Sequence, residues 1–149
     1  MTNIRFKPIG KGLSLVVAGG ALFLLTTVCA WGSDVKVIAN SSVSASTVSS
    51  GDVKDVFLLD KDSLGGSHVE PVLIKGGPSH EAFLKEYVGR SDSALQAFYR
   101  SVVFTGKGSM PKTLSSDAEV VAYVAKTKGA VGYVSSAAGT EGVKVLQVK

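Results

Sequence analysis

Segments with the pattern of β-strands alternate with segments of helical periodicity along most of this chain. Residues 35–39 (VKVIA) are apolar and β-branched at alternating positions, as in a half-buried strand. Three further strands are predicted at residues 69–74, 130–134 and 143–148. Because helical segments separate most of them, we expect an α/β fold: a single three-layer-like lobe in which helices flank a small mixed sheet.

Four segments place apolar residues at helical spacing between recognisable helix ends. The first follows Ser49 or Ser50, either of which can cap it. The second begins at Pro78 and stops at Gly89, and the fourth has a capping-box serine, Ser116, at its start. The predicted helices are residues 51–58, 78–88, 91–104 and 116–128. We expect one core that includes Phe57, Phe83, Leu84, Leu95, Phe98, Val121, Val124 and Val131.

The first thirty residues have the layout of a secretory signal peptide. Three basic residues and no acidic one precede an apolar run at residues 13–28. An uncleaved membrane anchor is the alternative, but the run is short for a spanning helix and is interrupted by a glycine pair. We therefore expect a signal peptide at residues 1–30, cleavage before Trp31 or Ser33, and a periplasmic domain at residues 31–149.

The residues after the predicted signal are nearly balanced in charge. The chain has 16 basic and 12 acidic residues, and removal of the three basic ones near the start leaves 13 basic and 12 acidic. No basic run with interleaved aromatic residues is present, so nothing predicts nucleic-acid binding. The only cysteine, Cys29, lies at the end of the signal, so the domain has to be stable without a disulfide.

The residue pattern does not predict an enzyme. His68 and His80 lack the neighbouring ligands of a metal site, and no thiol nucleophile follows the signal. The acidic residues on either side of Lys61 lack the glycine and glutamate of an EF-hand loop, and Lys107 lies outside any phosphate-loop pattern. We expect a non-catalytic protein without a metal or another cofactor.

A glycine pair and a proline mark the junction between the second predicted strand and the second helix, where residues 74–83 read IKGGPSHEAF. One interpretation is turn chemistry: the glycines make the turn, Pro78 begins the helix, and Ser79 caps nearby amides. The other is an anion site, because a helix N-terminus presents N–H groups without partners and a partial positive charge. The spacing alone leaves both open.

The order of the segments resembles a known family, the phosphate-binding proteins of bacterial ABC-type uptake systems. Five segments carry the likeness: VKVIANSS (35–42), DVKDVFLLDKDS (52–63), VEPVLIKGGPSHEAFLKEYVG (69–89), VVFTGKGSMPKT (102–113) and AEVVAYVAKTKGAVGYVSSAA (118–138). The last one is similar to that family's helix followed by a PGAIGYV-like strand. The likeness covers nearly all of the chain after the signal and implies one of the two lobes of a type II periplasmic binding protein.

The resemblance implies an exported solute-binding protein that works with ABC-type phosphate uptake and binds phosphate or a similar oxyanion. Alignment on Phe83 places the family's anion loop at residues 77–79. The arginine of that loop is absent here, and Pro78 removes one amide donor. The site residues implied by the resemblance are Lys75, Gly76, Gly77 and Ser79, with Ser41 and Ser42 as neighbours.

A single lobe leaves one side of a bound ligand open to water. We therefore expect a partner protein or a second copy of the chain to complete the cleft. The alternative function is an envelope accessory or protein-interaction domain that keeps the fold and has lost its ligand. The absent arginine and the absent second lobe favour this alternative, whereas the glycine–serine turn favours an anion site.

Overall fold

The structure, a computed structural model, describes residues 34–149, so the predicted signal peptide and its cleavage site lie outside the described residues. The predicted helices are present. Within the described range the elements are, in chain order, β1 (Val35–Ala39), β2 (Thr47–Val48), α1 (Ser50–Phe57), β3 (Ser63–Leu64), β4 (Ser67–His68), β5 (Glu70–Ile74), α2 (Pro78–Phe83), a π-helix (Leu84–Val88), α3 (Asp92–Phe104), β6 (Lys112–Leu114), α4 (Asp117–Lys126), β7 (Ala130–Ser135), β8 (Lys144–Val145) and β9 (Gln147–Val148).

The central sheet is mixed, as predicted. Its strand order is β6-β5-β7-β1-β8. Strand β5 runs parallel to β6 and β7, with Glu70 opposite Ala130, whereas β1 runs antiparallel to β7 and β8, with Val37 opposite Tyr133. The carboxyl end of β5 and the amino end of β1 therefore lie at the same end of the sheet. The turn between β5 and α2 lies at this end.

Helices cover both faces of the sheet, so the predicted three-layer arrangement is confirmed. On one face, β7 presents Gly132 to α4, where an added Cβ would come 2.8 Å from Val120 Cγ1. On the other face, the ring of Tyr133 stacks on that of Phe83 from α2, with ring centres 3.9 Å apart. Phe57 of α1 packs edge-on against Phe83. Alternate residues of β7 thus contact opposite layers.

The core contains most of the residues that the sequence predicts for it. Phe57, Phe83, Leu84, Leu95, Val124 and Val131 are buried. Phe98 and Val121 are only half-buried, because α3 and α4 bury other side chains instead. In α3 these include Tyr99, whose hydroxyl donates to the carbonyl of Phe57 at 2.5 Å.

Several short strands lie outside the strands that the sequence predicts. Strand β2 lies between β1 and α1, β3 and β4 form a hairpin, and β6 extends the central sheet beside β5. The predicted last strand is interrupted at Leu146, which is buried and donates its N–H to the carbonyl of Val37. Its two halves join different partners, so β8 pairs with β1 and β9 pairs with β2.

The helix ends follow the local chemistry of the sequence. Ser49 caps α1 and forms a capping box with Asp52. Ser116 caps α4 by accepting from the N–H of Glu119, whereas the Glu119 carboxylate accepts from the N–H of Ser115, one residue before the cap. In the described part of the chain, no helix has the length and apolar character needed to cross a membrane.

Candidate functional site

The turn that joins β5 to α2 owes its shape to two glycines. Gly76 and Gly77 have φ angles of 74° and 94°, a region that side chains with a Cβ rarely occupy. An added Cβ at either position would meet nothing within 4 Å. The glycines are therefore required by backbone conformation rather than by crowding, and both are exposed. This is consistent with turn chemistry and leaves room for a small molecule beside the backbone.

Part of the turn's backbone is already hydrogen-bonded. The N–H of Lys75 donates to Leu114 of β6 at 2.7 Å, and the N–H of Gly76 donates to Ile74 at 2.9 Å. Gly77 is the N-cap of α2, where no side chain caps the helix, and Pro78 has no N–H. The amides of Gly77 and Ser79 are therefore the donors that the turn offers to an anion.

The Ser79 hydroxyl contacts a carboxylate that sequence patterns did not reveal. Its Oγ donates to Asp117 Oδ2 at 3.3 Å, and the N–H of Ser135 donates to the same oxygen at 3.0 Å. Asp117 is the first residue of α4, and Ser135 is the last of β7. Asp117 lies 38 residues from Ser79, so only the sheet topology brings the two together.

Ser41 and Ser42 do not lie at this turn. They follow β1, which is antiparallel to β7, so they lie at the opposite end of the sheet strands. Ser42 Oγ accepts from the N–H of Gly129, and Asn40 anchors the same loop by donating to the carbonyl of Val124 at 2.7 Å. The antiparallel direction of β1 therefore separates both serines from the residues around Ser79, and their assignment as neighbours of the anion is wrong.

A buried polar chain lies directly beneath the turn. The N–H of Ile74 donates to Tyr133 Oη at 3.1 Å, and this oxygen lies 2.5 Å from His80 Nδ1. The other ring nitrogen of His80, Nε2, lies 2.9 Å from Asp92 Oδ1. Since Oη accepts from Ile74, its own proton is available to Nδ1, and Nε2–H then donates to Asp92. His80, which lies in the first turn of α2, is only 2% exposed.

Burial dominates the electrostatics of Tyr133, which links Ile74 and His80. Removal of Tyr133 from water raises the pKa of its phenol, and the hydrogen bond from the Ile74 amide lowers that pKa by a smaller amount. The phenol therefore keeps its proton at physiological pH. It acts as a neutral link between the end of β5 and the first turn of α2, and so holds both sides of the glycine turn.

A groove of about 620 Å³ opens beside Asp117 on the side of α4. Its walls are mostly small apolar side chains, so the carboxylate stands at the boundary between the turn and an apolar surface. The lining residues are Asp117, Ala118, Val121, Ala122, Ser135, Ala137, Ala138, Gly139 and Glu141. Within residues 34–149, no three His, Cys, Asp or Glu side chains converge as metal ligands.

No protein-family model and no curated protein matches this sequence. Solved structures do match. A structure from Clostridium perfringens, described as a phosphate ABC transporter substrate-binding protein with bound phosphate, aligns with a TM-score of 0.61 and 16% identity over 77% of this chain and 44% of that one. An ABC-type phosphate transport receptor from Vibrio cholerae aligns at 0.59 and 12%, over 77% and 46% of the two chains.

PstS from Borrelia burgdorferi gives a TM-score of 0.61 at 12% identity, over 78% of this chain and 47% of that one. The described domain has the fold of one lobe of these proteins. The fold predicted from the order of the segments is thereby confirmed. The chain spans less than half the length of the structures that it matches, and at such low identity the likeness concerns the fold alone.

Proposed function

We propose that this protein is an exported, non-catalytic solute-binding protein that binds phosphate or a similar oxyanion and serves ABC-type phosphate uptake. The oxyanion lies at the turn between β5 and α2. The amides of Gly77 and Ser79, the Ser79 hydroxyl and the Lys75 ammonium contact it, and the open space at Gly76 lets it approach the backbone. Ser41 and Ser42 take no part.

The observation that carries this proposal is the exposed glycine turn before a helix that no side chain caps. A serine at the N-cap would satisfy the first amides of α2, but Gly77 leaves them open. The likeness in fold to proteins whose names describe phosphate transport gives independent support. The described domain covers one side of the ligand, and a partner protein or a second copy covers the other side in this proposal.

Asp117 favours an oxyanion that carries a proton. A carboxylate repels an anion, but it can accept a hydrogen bond from a protonated oxygen. Phosphate retains at least one proton at neutral pH, and sulfate has none. Because Asp117 Oδ2 lies within hydrogen-bonding distance of Ser79 Oγ, phosphate should bind more tightly than sulfate.

A second function, an envelope accessory or protein-interaction domain without a ligand, is favoured by the same pair of residues. The Ser79 hydroxyl already has a partner in Asp117, and an anion would have to replace it. The turn also has a lysine where an arginine would offer a planar pair of donors. These features weaken an anion site, so affinity has to be measured.

Calorimetric titration with phosphate and with sulfate tests the proposal. We expect phosphate to bind, and Ser79→Ala to weaken it about ten- to hundredfold, the effect of one hydrogen bond to a charged ligand. Ser101→Ala is the control, since Ser101 is an exposed serine in the middle of α3. Absence of heat with both anions would favour the accessory function.

Export is tested separately. Cleavage of the signal should leave Trp31 or Ser33 as the first residue of a protein in the periplasmic fraction. N-terminal sequencing of that fraction checks both the site and the location. A membrane-bound product that retains Met1 would contradict export through a cleavable signal.

A further inference from the structure

The end of α3 forms an exposed apolar surface. Phe104, the last residue of the helix, is 93% exposed, and Val103 and Met110 are 47% and 49% exposed. Together with Arg100 they line a shallow cleft of about 300 Å³, which we call the Phe104 surface. The opposite side of the helix packs into the core through Leu95 and Tyr99. The exposed phenyl ring adds almost no buried apolar area to the core. An exposed apolar patch of this kind is typical of a binding surface.

The charged residues of the chain segment that forms this surface are basic. The chain has no acidic residue between Asp92 and Asp117, and this stretch contains Arg100, Lys107 and Lys112. Within residues 34–149, neither Arg100 nor Lys107 forms an ion pair. The Lys112 ammonium lies over the ring of Tyr123, 6.0 Å from its centre.

Carboxylates approach the Phe104 surface where Lys107 lies. Asp60 lines one neighbouring cavity with Lys107, and Asp62 and Glu70 line another with Lys107 and Met110. Arg100 has no acidic residue beside it in the cleft itself. A complementary partner therefore has negative charges at its surface and an apolar interior beneath them.

A second copy of the chain fits this surface poorly. A two-fold contact brings the same patch of both copies together. The Arg100 side chains of both copies would then share one small apolar interface whose cleft contains no carboxylate. An anionic lipid surface does not have this problem, since it provides phosphate groups for the basic side chains and hydrocarbon for the rings.

We propose that the Phe104 surface binds peripherally to membranes that contain anionic phospholipids. Phe104 and Met110 enter the boundary between headgroups and acyl chains, where aromatic side chains are favoured. Arg100 and Lys107 extend their apolar stems along this boundary and reach the headgroup phosphates. With these contacts the domain lies on the membrane surface.

The Phe104 surface is distinct from the glycine turn. Asp92, at the start of α3, contacts His80 beneath the turn. Phe104 lies at the other end of the same helix, about 18 Å further along its axis. Membrane binding therefore leaves the turn free for a solute, and either proposal can fail without the other.

Vesicle sedimentation tests the proposal. The full chain is produced with its own N-terminus, and N-terminal sequencing of each purified variant confirms that all variants share the same end. Vesicles of phosphatidylcholine alone are compared with vesicles that contain about one-third phosphatidylglycerol. We expect binding to the anionic vesicles, and binding should weaken as salt rises, because salt screens the basic side chains.

Three variants identify the surface. Phe104→Ser should weaken vesicle binding about tenfold or more, as expected when a phenyl ring no longer leaves water. Arg100→Gln should weaken it about fivefold on anionic vesicles and leave binding to neutral vesicles unchanged. Val145→Ser is the control, because Val145 is an exposed apolar residue on β8, at the edge of the central sheet. It should bind as the wild type does.

Either of two results would overturn the proposal. One is wild-type protein that stays in solution with anionic vesicles, or that sediments equally well when it carries Phe104→Ser. The other is a dimer in light scattering that Phe104→Ser dissociates, which would assign the surface to a second copy. Thermal unfolding of each variant is measured in parallel, and an unchanged midpoint shows that its binding defect is local.

Discussion

His80 Nδ1 lies 2.5 Å from Tyr133 Oη, and both groups are buried beneath the glycine turn. The phenol oxygen also accepts from the Ile74 amide, just before the turn, while His80 belongs to the helix just after it. One hydrogen-bonded pair therefore joins the two ends of the turn across a stacked aromatic core. Loss of Tyr133 Oη leaves His80 Nδ1 and the Ile74 amide without this partner, and loss of His80 leaves the Tyr133 O–H without an acceptor.

A double-mutant cycle tests this pair. Tyr133→Phe leaves the Ile74 amide and His80 Nδ1 without a partner, and we expect it to cost about 1–3 kcal/mol of the free energy of unfolding. His80→Leu leaves the buried Tyr133 O–H without an acceptor and should cost a similar amount. Both changes together should cost less than their sum, which urea unfolding can measure. Simple additivity would show that the two side chains stabilise the fold independently.

Asp117 should control the choice between anions. Asp117→Asn removes the negative charge beside Ser79, so sulfate binding should strengthen roughly tenfold while the advantage of phosphate shrinks. Glu119→Gln removes an equal charge from the same helix without touching Ser79 and should leave the ratio unchanged. The ratio of the two dissociation constants, measured by calorimetry, decides. An unchanged ratio in Asp117→Asn would show that the carboxylate does not face the ligand.

Gly129 should be the glycine that tolerates substitution least. Its φ is 76°, and an added Cβ would lie 2.6 Å from the carbonyl oxygen of His68. Gly106 has a similar φ of 69° but open space around it. Gly106→Ala should therefore cost about 1–2 kcal/mol for the backbone conformation alone, and Gly129→Ala should cost clearly more. Equal urea midpoints for the two variants would mean that the contact with His68 relaxes freely.

The Asp52 carboxylate gives the domain a pH-dependent contribution to stability. The hydrogen bond from Lys61 lowers the pKa of Asp52 from its ordinary value of 3.8, and the Ser49 hydroxyl and amide lower it further. A lowered acid pKa stabilises the fold above the ordinary value, and this contribution is lost as the pH falls below it. Asp52→Asn should cost less than about 1 kcal/mol at pH 7, since the pair is exposed. The cost should shrink as the pH falls below 3.8 and vanish once the pH lies below the lowered pKa of Asp52 in the folded protein.

The buried ring of Phe83 makes much of the contact between α2 and the sheet. Its ring stacks on Tyr133 and meets Phe57 edge-on. Phe83→Ala should destabilise the domain by about 3–5 kcal/mol, enough to threaten its folding. An unchanged unfolding midpoint would contradict the observed packing of α2. Phe104→Ala is the control, because that ring is exposed and should change stability little.

The elements with strong periodicity were predictable from the sequence. The strand before Asn40, the helix from Pro78 and the helix after Ser116 all have apolar faces and clear end signals, and each lies where the sequence places it. Strands of two or three residues, such as β2 and β6, are too short to show a period. They form because neighbouring strands supply hydrogen-bond partners, which is a property of the tertiary structure.

The candidate site was predictable only where it is contiguous in sequence. The glycine turn and Ser79 follow from local turn and helix-start chemistry. Asp117 and Tyr133 reach the turn through sheet topology, and no spacing rule connects them to Ser79. The error at Ser41 and Ser42 has the same origin. Strand β1 is antiparallel to β7, and residues 41–42 therefore lie at the end of the sheet that is opposite to the glycine turn.

Amide chemical shifts during a phosphate titration test the central claim most directly. If phosphate binds at the turn, millimolar phosphate should shift the amide resonances of Gly76, Gly77 and residues 79–81, and leave those of α3 and β8 in place. The same titration of Ser79→Ala should give much smaller shifts, because the ligand loses a hydrogen bond to the hydroxyl. Unmoved resonances at the turn in the wild-type protein would contradict phosphate binding, and the glycines would then serve the turn alone.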